Sequence, residues 1–234
     1  MPITELYSST GTTISTTEIS LVTGTSSLGS ATDRGMFQLW VDHSNIALND
    51  EFRIKIKEKV LSGGTQRVIY DQTILGGPQP TFRWKSPAMM LINGWDITMQ
   101  KIAGTDRSIS WSLRQVPNTV TEIYTGNAVT VGATPVSLVS GTTVGQSVTT
   151  DGIYQVFIDA INISTADFYQ LYQLEKLVAS GSQSYHEPLS EWSGVSSVPI
   201  IVTEPAILMH GWDYKLLKRS GTDRTFSWSI RQIT

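Results

Sequence analysis

Apolar and polar residues alternate along most of this chain. Phe37, Leu39 and Val41 fall on one side of a two-residue period, with Trp40 on the other; Phe52, Ile54 and Ile56 alternate with Arg53, Lys55 and Lys57. A period of two marks a strand with one face buried. The pattern predicts strands near 18–23, 36–42, 52–60, 67–75, 80–84, 88–92, 95–102 and 108–116. It predicts more near 136–140, 153–159, 168–178, 198–203, 206–209, 212–219 and 225–233. Glycine and proline punctuate them at Gly63-Gly64, Gly76-Gly77-Pro78, Pro87, Gly132, Pro188 and Pro205. The stretch from Asp167 to Ser180 also admits a helix. Its counterpart, Phe52 to Lys57, alternates cleanly, so both read as strands. Short strands at this spacing give an all-β fold, an antiparallel β-sandwich of jelly-roll type.

The pattern is written twice. Thr4-Glu5-Leu6-Tyr7 recurs as Thr121-Glu122-Ile123-Tyr124, and Gly35 to Asp42 recurs as Gly152 to Asp159. Gly94-Trp95-Asp96 recurs as Gly211-Trp212-Asp213, Gly104-Thr105-Asp106-Arg107 as Gly221-Thr222-Asp223-Arg224, and Ser110 to Gln115 as Ser227 to Gln232. The offset, 117 positions, is half of the 234 residues. Each half is long enough for its own core. The expectation is two tandem domains, 1–117 and 118–234, from an internal duplication.

The end of each copy reads as a hairpin. Trp95, Ile97 and Met99 share one face, as do Ile109, Trp111 and Leu113. If the two strands pair through a loop at Ala103 to Arg107, Met99 faces Trp111 and Asp96 faces Arg114. The second copy places Leu216 opposite Trp228 and Asp213 opposite Arg231. The repeated acids and arginines then become cross-strand pairs.

Composition narrows the function. Net charge is −3 and 16% of residues are charged, which argues against a general attraction to nucleic acid. With no cysteine, thiolate metal sites, disulfides and cysteine nucleophiles are excluded. No apolar run approaches the length of a membrane-spanning helix. The N-terminal residues do not have the pattern of a secretion signal, and the absence of cysteine leans toward a reducing site of synthesis.

No constellation points to catalysis or to a cofactor. Asp96/Asp213 with Arg114/Arg231 admit a carboxylate site, but pairing and turn rules already account for them. His43, His186 and His210 occupy no common position in the two copies and lack metal-ligand spacing. Asp42 and Asp159 end corresponding strands. Seven tryptophans raise the alternative of sugar stacking, as in carbohydrate-binding sandwiches, although Trp95, Trp111, Trp212 and Trp228 fall on core-facing positions.

The copies differ most at one strand. Arg53, Lys55, Lys57 and Lys59 form a basic stripe where the second copy has Gln170, Tyr172, Leu174 and Lys176. The stripe reads either as a solvated or lysine-guarded sheet face or as a docking strip for an acidic protein surface. Tyr172 and Leu174 are the corresponding candidate contact between domains or subunits.

The block Gly-Trp-Asp-x-x-x-x-Lys-x-x-Gly-Thr-Asp-Arg-x-x-x-Trp-Ser-x-Arg-Gln, at Gly94–Gln115 and Gly211–Gln232, resembles the C-terminal hairpin of small virion proteins of tailed bacteriophages. The resemblance covers the last fifth of each copy. It implies a non-enzymatic capsid cement or decoration protein on the capsid exterior, with the major capsid protein as partner and no catalytic residues to carry over. Two linked copies of one domain suit bridging through effective concentration, and a homotrimer would give a pseudo-hexameric ring. The alternatives are a carbohydrate-binding module, a tail accessory protein and a double-barrel major coat protein.

Overall fold

The computed structural model describes residues 3–77, 83–117, 120–194 and 197–233, with backbone alone at 186 and 187. It divides into two compact units, Met1–Val120 and Thr121–Thr234. Among the described residues the regular structure is entirely β.

The first unit runs β1 (Thr4–Ile14), β2 (Ile19–Ser20), β3 (Gly35–Asp42), β4 (Glu51–Glu58), β5 (Arg67–Leu75), β6 (Arg83–Lys85), β7 (Met89–Leu91), β8 (Asp96–Ala103) and β9 (Arg107–Pro117). One sheet has the order β1-β9-β3-β6, with β7 also on β3; the other has β2-β8-β4-β5. Every pairing between these strands is antiparallel. With β6 and β7 counted as one interrupted strand, this is the eight-strand jelly-roll order. The part of the expected 80–84 strand on residues 80–82, and Pro78 of the expected turn, lie outside the described residues.

The second unit repeats the plan. Its strands are β10 (Val120–Val131), β11 (Val136–Ser137), β12 (Gly152–Asp159), β13 (Phe168–Lys176), β14 (Gln183–Ser193), β15 (Ile200–Val202), β16 (Ala206–Leu208), β17 (Asp213–Ser220) and β18 (Arg224–Ile233). The sheets are β10-β18-β12-β15, with β16 on β12, and β11-β17-β13-β14. Isolated bridges join Ala31 to Trp95 and Val148 to Trp212, again at the repeat offset.

Alternation becomes burial as the pattern predicts. Residues of β3 and β4 are buried at every second position. In the second unit Tyr154, Val156 and Ile158 of β12 meet Tyr169 and Leu171 of β13 and Tyr214 and Leu216 of β17, with Trp212 and Trp228 fully enclosed. In the first, the Phe37 ring lies 4.7 Å from that of Trp95, bridging the two sheets.

The expected hairpin does not form. Strands β8 and β9 are consecutive but belong to opposite sheets: β8 pairs with β2 and β4, β9 with β1 and β3. Asp96 therefore stands beside Lys57, and Arg114 beside Gln38 and Glu5. Met99 faces Ile19 and Ile54, not Trp111. The second unit parts Asp213 from Arg231 in the same way, on β17 and β18. The physical reason is that two strands crossing from one sheet to the other point their apolar faces into one core, just as a hairpin does. Parity alone does not separate the two arrangements.

Three strands were hidden in the pattern. The edge strands β1 and β10 are mostly exposed, so they show little alternation. In β10 Gly126 is required, because a Cβ there would run into the Trp228 ring. Strand β14 contains Pro188, expected as punctuation. It sits on an edge strand at a register shift opposite Tyr172, the setting in which strands tolerate proline.

Candidate functional site

The repeated aspartates and the Gly-Thr-Asp-Arg motif are bound up in the scaffold. Asp50, just before β4, is buried. One carboxylate oxygen accepts the Thr105 N–H at 2.8 Å; the other accepts the Ala47 N–H at 2.8 Å and Arg107 Nε at 2.7 Å. Asp167 repeats this with the N–H groups of Thr222 and Ser164 and with Arg224 Nε. These N–H donors, the Thr105 and Thr222 amides foremost, together with the arginines hold both carboxyls below the usual carboxylate range. Gly104 takes φ +86° directly against Asp50. The Gly-Thr-Asp-Arg motif is thus the arch between the two sheets, closed on a buried aspartate that the sequence reading passed over. Asp50 and Asp167 are identical at the repeat offset, and that was the available signal.

Asp96 and Asp213 close a second loop. Asp96 accepts the Ser20 hydroxyl at 2.7 Å and the Gly29 N–H at 2.8 Å; Asp213 accepts the Ser137 hydroxyl at 2.8 Å and the Gln146 N–H at 3.0 Å. Burial pushes both carboxyls up. Neither meets an arginine, and each is consumed in fastening the loop after β2 or β11.

The basic stripe is ion-paired within the unit along most of its length. On the outer face of β4, Arg53 forms a two-point ion pair with Asp71. Lys55 and Lys57 share Glu18 at 2.8 and 2.6 Å, and the Thr98 hydroxyl donates to the same carboxylate. Burial works against ionised Glu18, but the two ammonium groups and the hydroxyl bring its pKa down to about 2. Lys59, beyond the strand, lies along Gly94. In the second unit the network changes as a set: Glu18 becomes Pro135, Asp71 becomes Pro188, and the cations become Gln170, Tyr172 and Leu174. Leu174 is buried. The Tyr172 hydroxyl donates to Gln170 at 2.6 Å, with Tyr185 edge-on at 5.5 Å and the Arg219 guanidinium 5.6 Å from its ring.

A hollowed surface lies elsewhere, on the outer face of the β1-β9-β3-β6 sheet. Its centre is Trp40, placed outward by the alternation that turns Leu39 and Val41 in. Register sets Ser112 of β9 beside it on one side and Lys85 of β6 on the other. The next row carries Ser110, Asp42 and Arg83, and the preceding one Glu5, Arg114 and Gln38. Arg114 lies 4.4 Å from the Trp40 ring centroid and the Lys85 ammonium 5.7 Å; the indole N–H donates to Gln38 at 3.1 Å. A trough of about 390 Å³ runs over this face, with Ser9, Ser110 and Ser112 below and Trp40, Asp42, Arg83 and Arg114 around it. A second hollow of about 250 Å³ lies toward Met36 and Ala88, with Trp40 and Arg114 shared between the two. The serine hydroxyls are partly committed, Ser112 to Glu5 at 2.6 Å and Ser110 to the Thr10 carbonyl at 2.7 Å.

No protein-family model matches the chain. No curated protein matches it either. Among solved structures, the PBSX exported protein XepA aligns over 100% of this chain and 86% of its own, with 8% identity and a TM-score of 0.32. PNGase F, a glycosylasparaginase from Flavobacterium meningosepticum, aligns over 100% and 96%, with 9% identity and a TM-score of 0.40. The CBM22-1-CBM22-2 tandem domain of Paenibacillus barcinonensis Xyn10C aligns over 93% and 82%, with 6% identity and a TM-score of 0.28. Scores this low decide nothing about activity or ligand.

The same face of the second unit is a different surface. Trp40, Arg83 and Lys85 are replaced by Phe157, Ile200 and Val202. Arg231 stands where Arg114 does, but it is fully buried, 3.7 Å from the Phe157 ring. Sequence reading placed Trp40 outward but did not bring Arg83, Lys85 or Arg114 to it, because the β3–β6 and β3–β9 pairings are long-range.

Proposed function

We propose that this chain is a non-enzymatic binding protein built from two jelly-roll units, and that the first unit recognises carbohydrate on its β1-β9-β3-β6 outer face. The observation that supports this is the trough beside Trp40. It pairs one half-buried, outward-facing aromatic with hydroxyl, carboxylate and guanidinium groups at a size suited to a small ligand. The deciding experiment is a glycan array probed with the full chain and with its Trp40→Ala and Arg114→Ala variants. Binding that both substitutions abolish supports the reading; an array without a single positive, or positives unaffected by either change, refutes it.

Attachment to the exterior of a virion shell, on the major capsid protein and as a trimer, is the second reading. It is favoured by one feature: a common scaffold carries unlike outer faces, as a protein bridging two unlike sites requires. Co-sedimentation with purified capsids tests it. Under that reading the chain pellets with particles, and Trp40→Ala leaves the pelleting intact.

A further inference from the structure

We infer that the glycan taken by the first unit is acidic, carrying a sugar carboxylate of the uronate class. The inference rests on the carbohydrate reading above and narrows it. The two sheets of this unit treat their outward cations differently. On the β2-β8-β4-β5 sheet, Arg53, Lys55 and Lys57 all form ion pairs, Arg53 with Asp71 and both lysines with Glu18. On the β1-β9-β3-β6 sheet, among the described residues, none of Arg83, Lys85 and Arg114 takes part in an ion pair. Arg83 and Arg114 line the trough and Lys85 stands next to it beside Trp40, three cations without an ion pair in a chain whose net charge is −3.

The neighbouring acids attract the two arginines but form no ion pair with them. Asp42 feels Arg83, and Glu5 feels Arg114, but Asp42 accepts the Ser44 N–H at 3.0 Å and Glu5 the Ser112 hydroxyl. Both carboxylates are thus engaged by other donors, while the guanidinium forks of Arg83 and Arg114 keep the geometry that grips a carboxylate at two points. The Trp40 ring attracts the Arg114 guanidinium, which lines the trough, and the Lys85 ammonium beside it.

Two of the three cations are not a demand of the fold; the third, Arg114, is kept as Arg231. The second unit builds the same sheet with Ile200 and Val202 in place of Arg83 and Lys85. A requirement of the jelly roll would have kept charge at both. The serine floor argues for a sugar over a peptide or a bare anion: Ser9, Ser110 and Ser112 line the trough with hydroxyl groups on the side away from Lys85.

The test uses the full chain and a matched pair of ligands, trigalacturonate and its carboxyl-reduced trigalactoside, in calorimetric titration at low and moderate salt. The acid should bind about tenfold or more tightly than the neutral sugar, with the difference shrinking as salt rises. The double variant Arg83→Ala/Lys85→Ala, both on exposed positions, should bring the two ligands together. Equal affinity of wild type for both ligands overturns this inference and leaves the carbohydrate reading standing. Absence of binding to either ligand, together with a blank neutral glycan panel, overturns both. A poly-aspartate peptide of equal charge binding as tightly as trigalacturonate also overturns the inference, because the trough would then read charge without sugar.

Discussion

Replacing Glu18 by glutamine removes the acid that Lys55 and Lys57 share, while an oxygen remains for the Thr98 hydroxyl. The Glu18 carboxyl ordinarily titrates at 4.5 and is brought down to about 2 in the folded chain. At ~1.36 kcal/mol per pH unit that difference amounts to about 3 kcal/mol. The Glu18 side chain keeps 24% of its surface exposed, so solvent screening reduces the figure to about 1–2 kcal/mol. The sign follows from linkage. A carboxyl whose folded pKa is depressed adds stability that is complete above the unfolded value, here 4.5, and lost as pH falls through the folded value near 2. Urea unfolding of the full chain, followed at pH 7, 5, 4, 3 and 2, reads this directly. Glu18→Gln should lower the stability of the first unit at pH 7 and 5 by about 1–2 kcal/mol, and the gap should close toward pH 2. A loss of constant size from pH 7 to 2 would refute the reasoning, since it would come from packing and not from charge. The same network predicts that reversing Lys55 and Lys57 to glutamate destabilises the first unit before it affects any partner.

Gly126→Ala should destabilise the second unit by about 1–3 kcal/mol, because the added methyl meets the Trp228 ring; chemical denaturation measures it, and a neutral result would place β10 differently. Asp50→Ala should lower the unfolding midpoint and raise hydrogen exchange at Thr105, whose N–H loses its acceptor; an unchanged Thr105 amide would refute the arch. Lys85→Ala should leave the fold intact and weaken glycan binding less than Arg114→Ala does, since Arg114 borders both hollows and Lys85 neither; equal losses would contradict that geometry.

How much of this was legible in the sequence depends on what period two encodes. It places Phe37, Leu39 and Val41 inside and Trp40 outside. It also puts Trp95 and Trp111 in the core, and these positions are indeed buried. It does not say which sheet a strand joins, because inward faces from opposite sheets obey the same parity. That is why β8 and β9 read as a hairpin and Asp96 and Arg114 as a pair. Edge strands such as β1 escape because ladder pairing on one side holds them with almost no burial. The basic stripe was visible, but its partners were not: Glu18 lies 37 residues from Lys55, and only the fold brings them together. The trough at Trp40 needed strands that are distant in sequence, and the charges at Arg83 within it and Lys85 beside it lie on a strand of three residues that hardly announces itself.

The central claim, that recognition resides on the open outer face of the first unit, is tested most directly at the Trp40 indole. Its N–H donates to Gln38 within the proposed site, while those of Trp95 and Trp212 donate to the Asp33 and Thr150 carbonyls. In a nitrogen-15 spectrum titrated with trigalacturonate, the Trp40 indole resonance, assigned through Trp40→Phe, should shift saturably while those of Trp95 and Trp212 stay fixed. A bound ligand that leaves the Trp40 resonance in place and moves another would contradict the account.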